Sequence, residues 1–494
     1  MSEDKSGKRI FSTETRCILL LIILVLAAYS NSSSGQFIFD DLKAIVFNPN
    51  VHSLWPLDKV MFQTRGSTLQ GRPVPALSFA LNYALFGTRM AGYHAVNLAI
   101  HLFASLTLFG IVRRTLLSRR LRARFAEHAT VLAWLTAAIW AVHPIQTQSV
   151  TYIVQRCESL VGLFYLLTLY SVIRAIQSRR AVWSVMAVLC CGLGMATKEV
   201  MATAPAVILL YDRTFGAGSF GSALRQRRRL YAGLATTWII LITLMWAIPN
   251  QADKTGLSTG ISVLEYMTNQ CIVIVHYIGL SLWPDKLCLD YGWTVVKDWG
   301  RLVPPMLLIV TLLGITVWGW ISNRSWSFLG VWFFGILAPT SSFVPIIDLI
   351  FEHRMYLPLA ALILSFVIAA HFCFQYVSKQ IRSSGKAAPG TITKRFVHYG
   401  PVAIMIVILA ALTLRTLHRN ECYEDRVLIW KEAIEVSPEN SRAYTGLGYS
   451  FHQKGKLEEA AKCYRKSLQL KPDQAIPMSN LGSVLRAQGK FDKA

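Results

Sequence analysis

The chain has 494 residues, of which 53% are hydrophobic and only 16% are Asp, Glu, Lys or Arg, and its mean hydropathy is +0.41. A soluble domain carries about 25% charged residues, so this composition excludes an ordinary soluble protein and predicts that lipid surrounds most of the chain. The formal net charge of +23 does not indicate a nucleic-acid partner, because the basic residues cluster in short loops between apolar runs and lack aromatic stacking platforms.

Apolar runs long enough for membrane spans begin near the N-terminus. The run from Ile18 to Tyr29 follows a basic segment, and we interpret it as a retained signal anchor because many further apolar runs follow it. The stretch 261–283 is predicted to be a re-entrant or interfacial helix, since a crossing there would place basic loops outside. The sequence then predicts eleven spans, at 17–34, 93–112, 129–146, 160–177, 182–197, 199–215, 231–248, 303–322, 326–343, 357–377 and 398–417.

This span count divides the chain into three predicted regions and assigns each loop to one side. The regions are a cytoplasmic N-terminus at 1–16, a membrane domain at 17–417 and a repeat segment at 418–494. The short basic loops are expected in the cytoplasm, and an odd number of spans places the repeat segment on the opposite side. The predicted outer segments are the loops 35–92, 143–159, 249–302 and 344–356 and the short turn at 198–199.

The C-terminal composition changes to that of a helical repeat. Residues 441–474 fit a 34-residue helix–turn–helix unit, in which Gly448 and Ala460 let paired helices approach closely. The pattern recurs 34 residues later at Leu481 and 34 residues earlier at Trp430. We therefore predict tetratricopeptide repeats that form an α-solenoid and are expected to continue beyond Ala494. The predicted fold class is all-α: a polytopic bundle followed by this solenoid.

Two adjacent carboxylates, Asp40 and Asp41, follow the first span. In an enzyme, one carboxylate would take the proton of an acceptor hydroxyl and the other would hold the site. The alternative is a solvated acidic start of the loop.

Further ionisable residues fall in the same outer loops. Arg156 and Glu158 could form an ion pair within their loop, or they could contact a phosphate and orient that contact. Lys198 and Glu199 could be functional or could neutralise each other at a membrane turn. Arg72 could bind a phosphate or lipid headgroups. The candidates beyond the aspartates are Arg72, His143, Arg156, Glu158, Lys198, Glu199 and Arg354.

Metal binding is not predicted. The nine cysteines form no C-x-x-C pair. His94, Asn97 and His101 share one helix face, but asparagine is a poor ligand for metals that imidazole suits. We expect polar packing between helices at these positions.

Several stretches together resemble a known family. They are FDDLKAIVFNPNV, GRPVPALSFALNYALFG, GYHAVNLAIHL, HPIQTQSVTYIVQRCESL, ATKE, LCLDYGW and FEHRMYLPLA. In this order, with repeats behind them, they resemble the transmembrane and tetratricopeptide-repeat-containing O-mannosyltransferases, especially bacterial membrane proteins of the same layout. Gln148 stands where relatives often carry an acidic residue.

The resemblance implies a GT-C fold and a membrane glycosyltransferase. Such an enzyme transfers a sugar, mannose in the eukaryotic members, from a polyprenyl-phosphate donor to Ser or Thr hydroxyls of proteins on the extracytoplasmic face. It implies that Asp40 and Asp41 are catalytic and that the other candidates surround the site or hold the donor phosphate. No tightly bound cofactor is implied, and the partners are the lipid-linked donor, membrane lipids and an acceptor polypeptide held by the repeats.

Two other functions stay open at this stage. A membrane-anchored scaffold would use only the repeat segment, and a transporter would place ionisable residues near the bilayer midplane. The wording of the motifs favours a bacterial inner membrane, with the endoplasmic reticulum membrane as the compartment in a eukaryote.

Overall fold

The structure is a computed structural model that describes residues 12–63, 67–247, 260–383 and 392–490. Parts of several predicted regions lie outside the described residues. They include 1–11 of the N-terminus, 64–66 and 249–259 of the outer loops, position 248 of the span 231–248 and 491–494 of the repeat segment.

Within the described residues every regular element is a helix, and none is a β-strand. The helices up to the last span are α1 Thr13–Ala28, α2 Leu57–Met61, α3 Pro73–Phe86, α4 Met90–Leu116, α5 Arg122–Phe125, α6 Ala129–Ala141, α7 Thr147–Val150, α8 Arg156–Ser178, α9 Ala181–Met195, α10 Ala204–Asp212, α11 Phe220–Gln226, α12 Arg228–Ala247, α13 Val263–Leu282, α14 Trp299–Ile321, α15 Ser327–Leu337, α16 Leu359–Ser383 and α17 Ile392–Glu421. The repeat helices are α18 Arg426–Val436, α19 Ser441–Gln453, α20 Leu457–Leu470 and α21 Ala475–Ala487.

Among the described residues, seven helical segments are long and apolar enough to cross a membrane, and an eighth forms if α6 and the 144–150 helix, bent by 54°, are one span. The seven are Thr13–Ser34, Met90–Leu116, Ile153–Ser178, Arg228–Ala247, Trp299–Ile321, Leu359–Gln380 and Gly400–Glu421. The predicted polytopic α-helical bundle is confirmed, and the chain is a multi-pass integral membrane protein. α13 is not among these spans, although it has 20 residues.

The remaining predicted spans are shorter or composite helices. α9 and α15 have 15 and 11 residues, so at 1.5 Å per residue neither reaches across a bilayer upright. The predicted span 199–215 is not one continuous α-helix. It consists of a 3₁₀ segment at Glu199–Thr203, then α10, then a π segment at Arg213–Ala217. Pro205, which has no backbone N–H, lies in the first turn of α10, where none is needed.

Polar residues gather at the two ends of the bundle. At one end, which we call the basic end, Arg113 pairs with Glu14 and Arg227 pairs with Asp212. At the other, which we call the site end, the turn after α1 meets the start of α8 and the segments before α10 and α16. The loops predicted to share one side of the membrane therefore lie together.

The repeat segment shares the hydrophobic core of the bundle. The main core cluster continues from the spans into α18 and α19, where it includes Trp430 and Leu447. A second, small cluster joins α20 and α21. At Gly448 a Cβ atom would lie 2.8 Å from the Tyr464 ring, so glycine is required there for the predicted close approach of two repeat helices.

Candidate functional site

The acidic pair lies on a tight turn after the first span. Phe39, which precedes the pair, has a φ of 45°, a left-handed conformation that is unfavourable for a bulky residue and recurs at functional sites. Asp40 follows it, is half-buried, and donates its backbone N–H to the Tyr152 hydroxyl at 3.0 Å. The strained turn thus fixes the position of Asp40 without burying its side chain completely.

Asp41 is fully buried and fastens this turn to the segment before α8. One carboxylate oxygen accepts the N–H of Ile38 at 2.9 Å, and the other accepts the N–H of Val154 at 2.7 Å. Burial raises the pKa of Asp41 well above its usual range, and the two N–H donors offset this only in part. The two predicted catalytic aspartates therefore have different surroundings: Asp41 is an internal brace, and Asp40 is the more accessible acid.

Two ion pairs link α3, α8 and the segment before α10. Lys198 pairs with Glu158 in a nearly dry contact, and Arg72 lies 3.2 Å from Glu199. Burial raises the pKa of Glu199, but the charges of Arg72 and Lys198 outweigh it, so the net shift is downward. The Nε of Arg72 is buried and has no hydrogen-bond partner in the described part of the chain. A buried donor of this kind is costly unless it meets an acceptor such as a phosphate oxygen.

The segment before α16 adds a neutral imidazole to these cations. His353 is buried, and Gln148 accepts hydrogen bonds from its backbone N–H and from its Nδ1, both at 2.8 Å. Burial lowers the pKa of His353 far below its usual value, and the positive charges of Lys198, Arg354 and Arg72 lower it further. Lys198, Arg354 and Arg72 are therefore near enough to His353 to disfavour its protonation.

Arg156 is buried in a helix interface beside this cluster. Its guanidinium donates to Asn97 and Asn82, both at 2.6 Å, and to the Tyr93 carbonyl at 3.1 Å, and it lies 4.3 Å from the centre of the Phe79 ring. Of the two alternatives left open for Arg156 and Glu158, the structure contradicts the ion pair, because Glu158 pairs with Lys198 instead. Both residues lie in the first turn of α8, and helix positions i and i+2 do not face each other.

Lys198 and Glu199 also do not neutralise each other. The backbone of Lys198 is extended, with φ −161° and ψ 151°, and neighbouring side chains on extended backbone point to opposite sides. Lys198 accordingly pairs with Glu158, and Glu199 pairs with Arg72.

Three histidines of the sequence analysis hold helices together. His143 lies at the bend after α6, with its Nε2 3.3 Å from the Ser281 carbonyl. The predicted polar packing of the α4 face is confirmed, since His94 contacts the Gly35 carbonyl at 3.0 Å and His101 contacts the Tyr356 hydroxyl at 2.9 Å. The described residues hold no group of three or more His, Cys, Asp or Glu side chains arranged for a metal ion.

The start of the repeat segment, residues 423–430, contacts the turn at 36–41 that carries Asp40 and Asp41, which we call the acidic turn. Gln36 donates its N–H to the Tyr423 carbonyl at 2.9 Å, and Arg426 donates to the Phe37 carbonyl at 2.8 Å. The ring of Phe39 meets Trp430 edge to face, with ring centres 5.4 Å apart. The residue whose strained backbone positions Asp40 is therefore packed against the repeat segment.

A second set of contacts joins the repeat to the loops of the site end. Arg442 bonds the buried Asp290 at 2.6 Å and Asp348 at 2.7 Å, and its guanidinium lies 5.8 Å from the centre of the Phe39 ring. The backbone carbonyl of Asp348 accepts a hydrogen bond from Arg354 at 2.6 Å. Sequence reasoning did not single out Asp290 or Arg442, although the stretch LCLDYGW contains the aspartate and could have pointed to it.

Comparisons with known proteins agree with this architecture. The family model described as TPR repeat matches residues 448–489, as the 34-residue pattern predicts. Protein O-mannosyl-transferase TMTC3 of Homo sapiens is 24% identical over 97% of this chain and 54% of its own length. Protein O-mannosyl-transferase F38B6.6 of Caenorhabditis elegans is 24% identical over 92% of this chain and 63% of its own length. The predicted family resemblance is confirmed.

Coverage of these relatives is partial. The chain spans about half the length of the curated relatives it matches first. Protein O-mannosyl-transferase TMTC1 of Mus musculus is 33% identical, over 35% of this chain and 19% of its own length. Among solved structures, ArnT from Cupriavidus metallidurans in the apo state has a TM-score of 0.39 and 12% identity, over 88% of this chain and 80% of its own. Its form bound to undecaprenyl phosphate has a TM-score of 0.38 and 13% identity, over 97% of this chain and 79% of its own.

Proposed function

We propose that the chain is a membrane glycosyltransferase that transfers mannose from a polyprenyl-phosphate donor to Ser or Thr hydroxyls of polypeptides. In the proposed step the Asp40 carboxylate takes the proton of the acceptor hydroxyl. The hydroxyl oxygen then bonds to the anomeric carbon of the sugar, and the bond from that carbon to the phosphate oxygen breaks. The lipid phosphate leaves with the electron pair and an added negative charge.

The observation that carries this proposal is that one short segment, residues 152–158, contacts both the acidic turn and the cation Lys198. Tyr152 and Val154 hold the acidic turn, and Glu158, four residues further on, pairs with Lys198. One segment therefore supports both a proton acceptor and a positively charged group of the kind that stabilises a departing phosphate. Arg72 is the strongest candidate for direct phosphate contact because its buried Nε lacks a partner in the described part of the chain.

The choice of mannose as the sugar and of a polypeptide hydroxyl as the acceptor is supported by the relatives. Those matched over nearly the whole chain are protein O-mannosyl-transferases, which supports mannose as the sugar and a polypeptide hydroxyl as the acceptor. A lipid-linked donor suits a site at one end of a bundle of spans, because its phosphate lies at the membrane surface while its chain stays in the bilayer. The gathering of arginines at the basic end supports a cytoplasmic position for that end and an extracytoplasmic position for the site.

The repeats are proposed to hold the acceptor polypeptide. Tetratricopeptide arrays offer extended concave surfaces to polypeptides, and the first repeat here touches the acidic turn through Trp430 and the Phe39 ring. An acceptor bound along the array would thus be delivered close to Asp40. We further propose a bacterial inner membrane, or the endoplasmic reticulum membrane in a eukaryote, as the location.

The test is a transfer assay with the purified full chain, labelled polyprenyl-phosphate sugars and Ser/Thr acceptor peptides. Asp40→Asn is expected to lower kcat by about 10²–10⁴, the usual contribution of a general base, with an unchanged melting temperature. Asp41→Asn is expected to lower the melting temperature as well, because an amide group would turn a donor toward one of two buried N–H groups. Asp58→Asn, an exposed aspartate of the same outer loop, is the matched control.

Two outcomes would count against the proposal. Full activity of Asp40→Asn would remove the proposed base. The second outcome is that the wild-type chain transfers sugar from none of the polyprenyl-phosphate donors. Transport of a solute would then favour a transporter. Full function of the repeat segment alone, tethered to an unrelated span, would favour a scaffold.

A further inference from the structure

A large cavity opens at the basic end, far from the acidic turn. It has a volume of about 1100 Å³ and lies between the ends of α4 and α8 and the start of α12. Seven arginines line it, and one of them, Arg227, is neutralised by the buried Asp212. The other six lie more than 4.0 Å from every carboxylate in the described residues: Arg114, Arg119, Arg179, Arg225, Arg228 and Arg229.

Membrane topology accounts for the number of these arginines but not for their arrangement. Retention of loops in the cytoplasm needs basic residues near the spans, wherever their side chains point. Here six arginines without a carboxylate partner line one concavity, where their like charges repel one another unless an anion is present.

The backbone at Arg179 gives an independent sign of function. Arg179 ends α8 in the left-handed conformation, with φ 54° and ψ 16°. Glycine commonly occupies such a position because it lacks a Cβ atom. An arginine there is less favourable for folding than glycine, which is consistent with a role for its side chain.

An apolar groove starts where the cationic cavity ends. The groove has a volume of about 600 Å³ and runs beside α4, α14, α15 and α16. Tyr211 and Phe215 line both spaces. A ligand that fills both must carry an anionic head and apolar chains, which describes an anionic phospholipid.

We propose that the basic end binds an anionic phospholipid, with its phosphate headgroup among these arginines and its chains in the adjoining groove. The site is separate from the proposed transfer site and does not depend on the proposed activity. The head would be held by charge-assisted hydrogen bonds from guanidinium groups, which match phosphate oxygens in geometry. The chains would keep the head in place, which a soluble phosphate could not do.

The test measures lipid retention by the purified full chain with native mass spectrometry. Phosphatidylglycerol is expected to be retained at least tenfold more strongly than phosphatidylcholine, and inorganic phosphate is expected not to displace it. The variant R179Q/R228Q/R229Q should weaken phosphatidylglycerol retention at least tenfold. The control R16Q/R122Q/R324Q removes three exposed arginines that do not line the cavity and should change retention less than twofold.

Equal weakening by both triple variants would overturn the proposal, since it would show a diffuse attraction to the whole basic end. Displacement of the lipid by inorganic phosphate would overturn the lipid as the ligand. Arg179→Gly keeps the test decisive if the triple variant fails to fold, because glycine suits the left-handed backbone. It should lower retention about threefold while the melting temperature stays equal or rises, and unchanged retention would contradict the proposal.

Discussion

Both ends of the bundle are rich in cations, but the two ends differ in whether these cations pair with carboxylates. At the site end Arg72 and Lys198 each pair with a carboxylate, and Lys198 and its partner Glu158 are nearly inaccessible to solvent. At the basic end six arginines around a cavity have no carboxylate within 4.0 Å in the described residues. Buried ion pairs stabilise one fixed geometry, whereas arginines without a carboxylate partner around a cavity keep a positive charge that no protein group balances. Substitution of a cation should therefore lower stability strongly at the site end and hardly at all at the basic end.

The largest effect on stability is expected at the buried ion pair. Lys198→Met should lower the free energy of unfolding by about 3–5 kcal/mol, because it leaves the Glu158 carboxylate buried without its partner. The double variant Lys198→Met/Glu158→Gln should recover most of this loss, since no uncompensated charge remains. Thermal unfolding in detergent measures both.

Arg225→Met at the basic end is the matched control for this pair. Arg225 is exposed and has no carboxylate partner, so its replacement should change the free energy of unfolding by at most about 0.5 kcal/mol. Equal losses for Lys198→Met and Arg225→Met would contradict the difference between the ends.

Glu352 makes the site end sensitive to pH. It is fully buried and accepts a hydrogen bond from the Tyr291 hydroxyl at 2.8 Å. Burial raises the pKa of Glu352 from 4.5 to about 7. The folded chain thus keeps a proton that the unfolded chain releases near pH 4.5. The associated stabilisation, about 3 kcal/mol, is complete below pH 4.5 and is lost as the pH rises to about 7.

Glu352→Gln removes this titration and should flatten the melting temperature between pH 4.5 and 7. The glutamine oxygen can still accept the hydrogen bond from Tyr291, so the comparison isolates the charge. Glu127→Gln, at an exposed position of the basic end, should leave the pH profile unchanged. A profile for Glu352→Gln that parallels the wild type would show that this carboxyl group does not titrate in the range.

The sequence could predict that the charged residues of the site end lie together, because this follows from the number of spans between their loops. Charges in loops separated by an even number of crossings must lie on one side. The acidic turn, the Glu158 region, Lys198 and the residues around Arg354 do lie at one end. The 34-residue repeat could also be predicted from the sequence, since its small and large side chains recur at the same positions of three successive units.

The partners within the site could not be predicted in the same way. Glu158 is two residues from Arg156 in sequence but pairs with Lys198, forty residues away. Which neighbours face each other depends on whether the local backbone is helical or extended, and this is the least certain part of a sequence interpretation. The packing of Trp430 on Phe39 depends on tertiary contacts between distant segments, which a single sequence does not specify.

The smallest predicted effect tests whether the repeat positions the acid. Phe39→Leu removes the edge-to-face contact with Trp430, worth about 0.5–1.5 kcal/mol. Leucine and phenylalanine are both unfavourable in the left-handed backbone of this position, so the comparison isolates the ring contact. If the ring holds Asp40 in place, kcat should fall about threefold to tenfold and KM for the donor should stay constant. Phe39→Tyr keeps the ring and should restore kcat. A loss of about 1 kcal/mol in stability with an unchanged kcat would instead make the contact a packing contact alone, and the repeat would then have no influence on the acid it touches.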